Sequence, residues 1–231
     1  YYNKVREIAN RRLEAHGFSV NIENFLPPSE TEKKLFDKIC TNTGKEWDKL
    51  TQDSKPIDKQ NYINKYATAR LFQYLADKKI KKRYSGFANI VHFSSGILRN
   101  FLHPCYNMYN KVQDDNHDFS MNTFIPEPIQ NDMIYKYSND FFEEIERVIA
   151  GLGHNSIETK NRLKKLKLLL EGLGKLFYKR LTDKNSRDPR IISFALKDYP
   201  DEELQEILDY GVTESFLHKI FTGSKSGGGK L

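Results

Sequence analysis

The sequence predicts a mainly α protein, with a helical bundle over residues 1–150 and a smaller α+β domain over residues 151–231. Two observations lead to this prediction. Apolar residues recur at helical spacing over most of the chain, most clearly from Lys59 to Lys82 and from Ser156 to Leu181. The first convincing strand pattern comes late in the chain, at residues 190–196 (RIISFAL).

The helices of the first part follow from their apolar stripes and their end signals. Ser29-Glu30-Thr31-Glu32 has the pattern of a capping box, in which a serine and a glutamate satisfy free N–H groups at a helix start. Glycine and proline mark further ends. The predicted helices cover Tyr2–His16, a segment that begins at Ser29, Lys59–Lys82, Ser95 to Val112 and Pro126 to Ile149.

The second part begins with the long helix from Ser156 to Leu181. Next come the strand at residues 190–196, a helix from Asp201 to Gly211 and an extended segment from Ser215 to Thr222. A glycine-rich tip at residues 223–229 ends the series. This order of elements is typical of a winged-helix domain, a common DNA-binding module.

Composition restricts the possible functions. The 231 residues include 38% hydrophobic residues, which is enough to bury a core, and the net charge of +6 is compatible with an acidic or nucleic-acid partner without proving one. Cys40 and Cys105 have no metal-ligand spacing, so we expect reduced thiols, no metal and a cytoplasmic protein. The sequence has no apolar run long enough to span a membrane.

A cation stands near the predicted start of the fourth helix. Ser94 and Ser95 offer oxygens that could cap its free N–H groups, and Gly96 would let another backbone or a phosphate approach closely. Arg99 follows in the first turn, where the helix dipole is already positive. This position favours an external anion, although a solvated surface arginine is the plainer interpretation.

Three segments resemble the C-terminal part of initiator-type AAA+ ATPases, the class that includes origin-recognition-complex subunits and bacterial relatives. Residues 2–13 (YNKVREIANRRL) resemble the entry into the small helical lid, and Tyr84-Ser85-Gly86-Phe87 through Ser94–Arg99 resemble its sensor-2 helix. Ser193-Phe194-Ala195-Leu196, with residues 208–212 (LDYGV) and the glycine tip, is similar to the trailing winged helix. Ile97 and Leu98 stand where many relatives have an acidic residue, so only the arginine carries over.

The resemblance implies a function for Arg99. In that family the sensor arginine reaches the γ-phosphate of the nucleotide from the lid. The chain starts at Tyr1 and lacks a phosphate-binding loop and a magnesium-binding carboxylate motif, so we expect a fragment that is not itself an enzyme. ATP and Mg²⁺ would then be bound through a missing ATPase domain of the full-length protein, with self-assembly or partner subunits.

A winged-helix part could contact the backbone of double-stranded DNA through exposed cations. The acidic helix from Asp201 to Tyr210 argues against direct reading of bases, because a duplex repels its carboxylates. The cations predicted to contact nucleic acid are Arg162, Lys164, Lys165, Lys167, Lys219, Lys225 and Lys230.

Other interpretations stay open at this point. The chain could be a helical protein-interaction scaffold that binds no nucleic acid. Arg147 and His154 have a spacing seen in HEPN-type ribonucleases, although Gly151 and Gly153 interrupt the helix between them. The basic run from Lys78 to Arg83 is either a solvated helix end or a phosphate-contacting patch.

Overall fold

The computed structural model describes residues 1–50, 58–115, 124–152, 157–186, 188–189 and 193–219. The regular elements of this part of the chain are helices, which confirms the mainly α class. None of the described helices combines the length and apolar character needed to cross a membrane. The helices are α1 (Tyr2–Ala15), α2 (Ile22–Phe25), α3 (Glu30–Asp48), α4 (Lys59–Asp77), α5 (Phe87–Phe93), α6 (Leu98–Asp114), α7 (Glu127–Gly151), α8 (Ile157–Thr182) and α9 (Glu202–Thr213).

The chain divides into two compact units. The first unit comprises residues 1–143 and 178–191, and the second unit comprises residues 144–177 and 192–231. Two long helices, α7 and α8, therefore contribute residues to both units. The domain boundary at residue 150 stays a prediction.

The main core of the first unit lies where α1, α2, α5, α6 and α7 meet. Its aromatic centre is Phe87, whose ring centroid lies 5.0 Å from that of Tyr2 and 5.6 Å from that of Phe101. These edge-to-face contacts suit the quadrupoles of the rings. The buried residues of this core are Val5, Ala9, Leu13, Ile22, Phe25, Leu26, Phe87, Ile90, Val91, Phe101, Met108, Val112, Ile125 and Ile134.

Helices α3 and α4 form a second, smaller cluster in the same unit. Ile39 on α3 packs against Leu71 and Leu75 on α4. The capping box is confirmed at its serine, because the Ser29 hydroxyl accepts a hydrogen bond from the backbone N–H of Glu32. This cap begins α3 at the residue that the sequence pattern predicts.

One buried amide joins three backbone segments of the first unit. The Gln130 side chain is completely buried. Its nitrogen donates to the carbonyl oxygens of Pro27 (3.1 Å) and Ile125 (2.7 Å), while its oxygen accepts from the N–H of Gly86 (2.8 Å). The amide thereby connects the exit of α2, the start of α5 and the first turn of α7.

Gly86 occupies a position that other residues would strain. Its φ is +90°, in the left-handed region that favours glycine. A Cβ atom at this position would lie only 2.9 Å from two carbon atoms of Pro28. The close approach allows Phe87 N to donate to the carbonyl of Leu26 at 3.0 Å, so α5 begins against the end of α2.

The second unit is built around the contact between α8 and α9. Leu163 and Leu166 are buried on α8, and Ile207 is buried on α9. Gly211 lies so close to the facing helix that a Cβ atom there would be 3.1 Å from the Leu166 side chain. Asp201 caps α9 by accepting from the backbone N–H of Leu204, so this helix begins where the sequence predicts.

The predicted strand is not confirmed. Residues 193–196 have no regular secondary structure, and residues 190–192 lie outside the described part of the chain. A strand needs a paired neighbour to satisfy its backbone, and no strand is present among the described residues. Phe194 and Leu196 accordingly stay 41% and 44% exposed. The predicted extended segment beyond residue 219 and the glycine tip also lie outside the described residues.

Two predicted helix bounds are wrong. Helix α4 ends at Asp77, so the basic run that follows is non-helical from Ile80 onward. Lys79 has a φ of +56°, which turns the chain out of the helix. Helix α6 begins at Leu98 instead of Ser95, because Ser95 and Gly96 have φ values of +51° and +86° and form a turn.

We expect the substitution Gln130→Leu to destabilise the protein by about 3 kcal/mol or more, because it leaves three buried backbone groups without partners. Urea denaturation measures this change in the free energy of unfolding. Gln60→Leu is the matched control, since Gln60 is an exposed residue of α4, and its cost should stay within about 0.5 kcal/mol. Equal stability of the two variants would contradict the structural role of Gln130.

Gly86→Ala and Gly96→Ala form a second comparison. Both glycines have positive φ, but a Cβ at Gly96 would meet no atom within 4 Å, whereas one at Gly86 would meet Pro28. Gly96→Ala should therefore cost about 1 kcal/mol, the penalty of the left-handed backbone alone. Gly86→Ala should cost at least about 2 kcal/mol more, since backbone must also shift. Thermal or urea unfolding of both variants tests the difference.

Candidate functional site

Arg99 lies in the first turn of α6, as the sequence predicts. The residue is exposed, and the N-cap position before the helix is Ile97, whose side chain has no acceptor for the free N–H groups. No side chain therefore caps the helix start beside the guanidinium, and the Asn100 N–H donates to the Ile97 carbonyl at 3.1 Å. Such a combination attracts anions electrostatically.

The two serines before α6 do not cap it, so that prediction is wrong. Ser94 is completely buried, and its hydroxyl bonds to the carbonyl of Val91 at 2.7 Å and to the Tyr1 hydroxyl at 2.8 Å. Ser95 Oγ lies 3.4 Å from the carbonyl oxygen of Phe93. Both hydroxyls thus contact backbone carbonyls at the end of α5. They stabilise the turn that sets the direction of α6.

Three further side chains surround Arg99 in the first unit. Tyr137 on α7 donates its hydroxyl to the side-chain oxygen of Asn100 at 2.9 Å. The ring of His103, one turn further along α6, lies 5.2 Å from the Tyr137 ring. We call Arg99, Asn100, His103 and Tyr137 the Arg99 face.

The positive charge of Arg99 has no carboxylate partner among the described residues, which favours an anion from outside. Burial raises the pKa of Tyr137, and the nearby Arg99 charge acts in the opposite direction and lowers it. The hydroxyl stays protonated at neutral pH and keeps its hydrogen bond to Asn100. Within the described residues, no carboxylate forms an ion pair with Arg99, unlike Arg70, which pairs with Glu46 at 3.3 Å.

Four predicted nucleic-acid contacts, Arg162, Lys164, Lys165 and Lys167, lie on α8. Arg162 and Lys165 share one side of the helix, which we call the basic face of α8, and Lys164 and Lys167 lie on another side. Most of these cations have carboxylate partners within the second unit. Arg162 pairs with Glu206 at 2.9 Å. Lys165 pairs with Glu203, and Lys167 pairs with Glu146. Lys164 is exposed and forms no ion pair with a described residue.

The acidic residues of α9 thus have a structural partner. Glu203 and Glu206 face the basic face of α8, so their charges are matched within the unit instead of being left to repel a duplex. Exposed pairs of this kind contribute little stability, typically about 0.2–1 kcal/mol each. A phosphate could therefore compete with them at modest cost.

The other three predicted nucleic-acid contacts do not lie on α8. Lys219 is exposed near the end of the described part. Lys225 and Lys230 lie outside the described residues. The contribution of these three lysines stays a prediction.

The ribonuclease pattern receives no support from the described part of the chain. Arg147 lies on α7 and pairs with Glu144 at 2.8 Å, while His154 lies outside the described residues. Among the described residues no group of three or more His, Cys, Asp or Glu side chains is placed to hold a metal ion. Burial raises the pKa of the Cys105 thiol to about 12, which leaves it almost wholly protonated at neutral pH.

A family model described as ORC-CDC6-like matches residues 36–230, and the chain therefore belongs to that family. This match confirms the resemblance to initiator-type AAA+ ATPases that the sequence motifs indicate. No curated protein and no solved structure matches the chain. The family thus places the protein among relatives of AAA+ initiator ATPases.

Sequence reasoning missed the neighbours of Arg99. Asn100 and His103 are close in sequence, but Tyr137 lies on a different helix, and no spacing rule connects it with α6. Gln130 was missed as well, since a glutamine in an amphipathic helix is ordinarily exposed. A polar residue on the apolar stripe of α7, four residues before the buried Ile134, was the available signal.

Proposed function

We propose that this chain is a nucleotide-sensing regulatory part of an initiator-type AAA+ ATPase, in which Arg99 contacts the γ-phosphate of bound ATP. The observation that carries the proposal is an exposed guanidinium at the uncapped start of α6, without a carboxylate partner among the described residues. Membership of the ORC-CDC6-like family supports it, because the motif that contains Arg99 resembles the sensor-2 helix.

The chemistry of the Arg99 face suits a phosphate. A guanidinium keeps its charge at all accessible pH values and offers a planar fork to two phosphate oxygens. The start of α6, which no side chain caps, adds the positive end of the helix dipole. Under this proposal, ATP and Mg²⁺ are bound by an ATPase domain, and the chain described here does not hydrolyse ATP by itself.

In a protein that joins this chain to its ATPase domain, we expect Arg99→Ala to lower the rate of ATP hydrolysis about tenfold or more, which corresponds to about 1.4 kcal/mol of lost transition-state stabilisation. Steady-state phosphate release measures the effect. The reason is that charge develops on the γ-phosphate oxygens during transfer, where the guanidinium would act.

Arg11→Ala is the matched control. Arg11 is also an exposed helical arginine of the first unit, but it pairs with Glu7 at 2.6 Å and lies outside the Arg99 face. Its removal should leave hydrolysis unchanged. Unchanged kinetics in Arg99→Ala, or ATP turnover by the present chain alone that Arg99→Ala abolishes, would refute the assignment.

The second unit supports a further role, the contact of duplex DNA backbone by a winged-helix-like domain. The basic face of α8 favours this role, because Arg162 and Lys165 pair with surface carboxylates, and Lys164 on another side of the helix is exposed. Phosphate contacts of this kind position a protein without reading sequence. Partner subunits or self-assembly would then complete the complex, as the family suggests.

We expect the double substitution Glu203→Gln and Glu206→Gln to raise affinity for duplex DNA about threefold to tenfold, because it frees Lys165 and leaves Arg162 with Glu158 as its one carboxylate partner among the described residues. The dependence of the logarithm of affinity on the logarithm of salt concentration should steepen by roughly 0.9 for each added phosphate contact. Fluorescence anisotropy with a labelled duplex at several KCl concentrations measures both quantities.

Glu202→Gln with Glu214→Gln is the matched control, because it changes the net charge equally. Both residues are exposed at the ends of α9 and form no ion pair with a described residue. A control that binds as tightly as the test variant would show that only net charge matters. Absence of duplex binding at low salt in every variant would favour the alternative, a scaffold that binds proteins alone.

A further inference from the structure

The basic run after α4 meets a cluster of aromatic rings. The Tyr84 ring lies 5.7 Å from that of Tyr135 and 5.9 Å from that of Phe93. Phe93 and Tyr135 are 38% and 40% exposed, and Lys82 places its ammonium group 5.5 Å from the Tyr84 ring centroid. We call Tyr84, Phe93 and Tyr135 the aromatic platform.

The backbone beside the platform is held in place by side chains. The Tyr135 hydroxyl donates to the Lys82 carbonyl at 3.0 Å, and Arg83 N donates to a Glu32 carboxylate oxygen at 2.8 Å. Tyr84 N donates to the Asn131 side-chain oxygen at 3.0 Å. These bonds fix a non-helical segment that would otherwise be free to move, so the platform is preorganised.

The charges along this segment are only partly neutralised. Lys82 pairs with Glu32, Lys78 with Asp77 at 3.6 Å, and Arg83 with Glu127 at 3.5 Å while staying 63% exposed at its side chain. Lys79 and Lys81 are exposed and form no ion pair with a described residue. Two full positive charges and a loosely held guanidinium therefore lie on the short segment that leads into Tyr84.

We propose that the aromatic platform and the adjacent cations at Lys79, Lys81 and Arg83 bind single-stranded nucleic acid. Exposed rings offer faces on which unpaired bases stack, and neighbouring cations track the phosphates. A duplex buries its base faces in its own stack and gains only the phosphate contacts here. This surface lies within the first unit and shares no residue with the basic face of α8 or with the Arg99 face, so it adds a ligand to the function proposed above.

The test compares two labelled strands of equal length and charge, a thymidine dodecamer and the same phosphodiester backbone with abasic sites, each titrated against the full chain. We expect the dodecamer to bind about fivefold or more tightly than the abasic strand, since each stacked base contributes on the order of this factor or more. Phe93→Ala should remove most of that preference. Tyr135→Phe, which keeps the ring, should retain more of it than Tyr135→Ala.

Matched controls separate local from general effects. Tyr106→Ala removes a ring of α6 that is 64% exposed and belongs neither to the aromatic platform nor to the basic run, and it should leave binding unchanged. Lys79→Ala with Lys81→Ala should weaken both strands and reduce the salt slope by roughly 1.4, at about 0.7 for each single-strand phosphate contact. Lys34→Ala with Lys38→Ala removes two exposed cations of α3 and should have little effect.

Each outcome decides for or against the proposal. Equal affinity for the dodecamer and the abasic strand, or equal binding of a duplex of the same length, would overturn base stacking on the platform. If Lys34→Ala with Lys38→Ala weakens binding as much as Lys79→Ala with Lys81→Ala, binding depends on net charge alone and the proposed surface is wrong. Because the substituted residues belong neither to the Arg99 face nor to α8, failure here leaves the Arg99 and α8 experiments unaffected.

Discussion

The fold of the first unit depends on the buried amide of Gln130. Its three hydrogen bonds connect backbone groups of Pro27, Gly86 and Ile125 that belong to no regular element. In a low-dielectric interior each of these groups is costly when unpaired, and a single side chain satisfies all of them. The ends of α2, α5 and α7 are consequently held at one point, and the packing of the core around Phe87 follows from that arrangement.

Both candidate surfaces of the first unit derive from this junction. Helix α5 begins at Phe87, directly after Gly86, and is only seven residues long, so its end and the turn that follows lie close to the junction. The turn sets the direction of α6 and thereby the position of Arg99. The rings of Tyr84 and Tyr135 stand on either side of the same junction in the chain, two residues before Gly86 and five after Gln130. The same buried junction therefore helps to set the position of Arg99 and the positions of the Tyr84 and Tyr135 rings.

In the second unit, ion pairs within the protein limit which cations can bind an external anion. The net charge of +6 describes the whole chain, but it does not say which cations are available to an anion. Helices α8 and α9 match much of their charge against each other through Arg162 with Glu206 and Lys165 with Glu203. An anionic ligand has to displace those carboxylates or use cations such as Lys164. The segment after α4 is less compensated, because Lys79 and Lys81 form no ion pair with a described residue.

The sequence alone was sufficient for the helical class, for most helix positions and for the placement of Arg99 in a first helical turn, because apolar periodicity and end signals are local properties of the chain. It was also sufficient for the family, through short motifs around Gly86 and Arg99. Only the tertiary structure decided that Ser94 is buried away from the start of α6 and that residues 193–196 lack a strand partner among the described residues. The same holds for the meeting of Tyr84, Phe93 and Tyr135, since contacts between residues tens of positions apart depend on how helices pack, which no local pattern records.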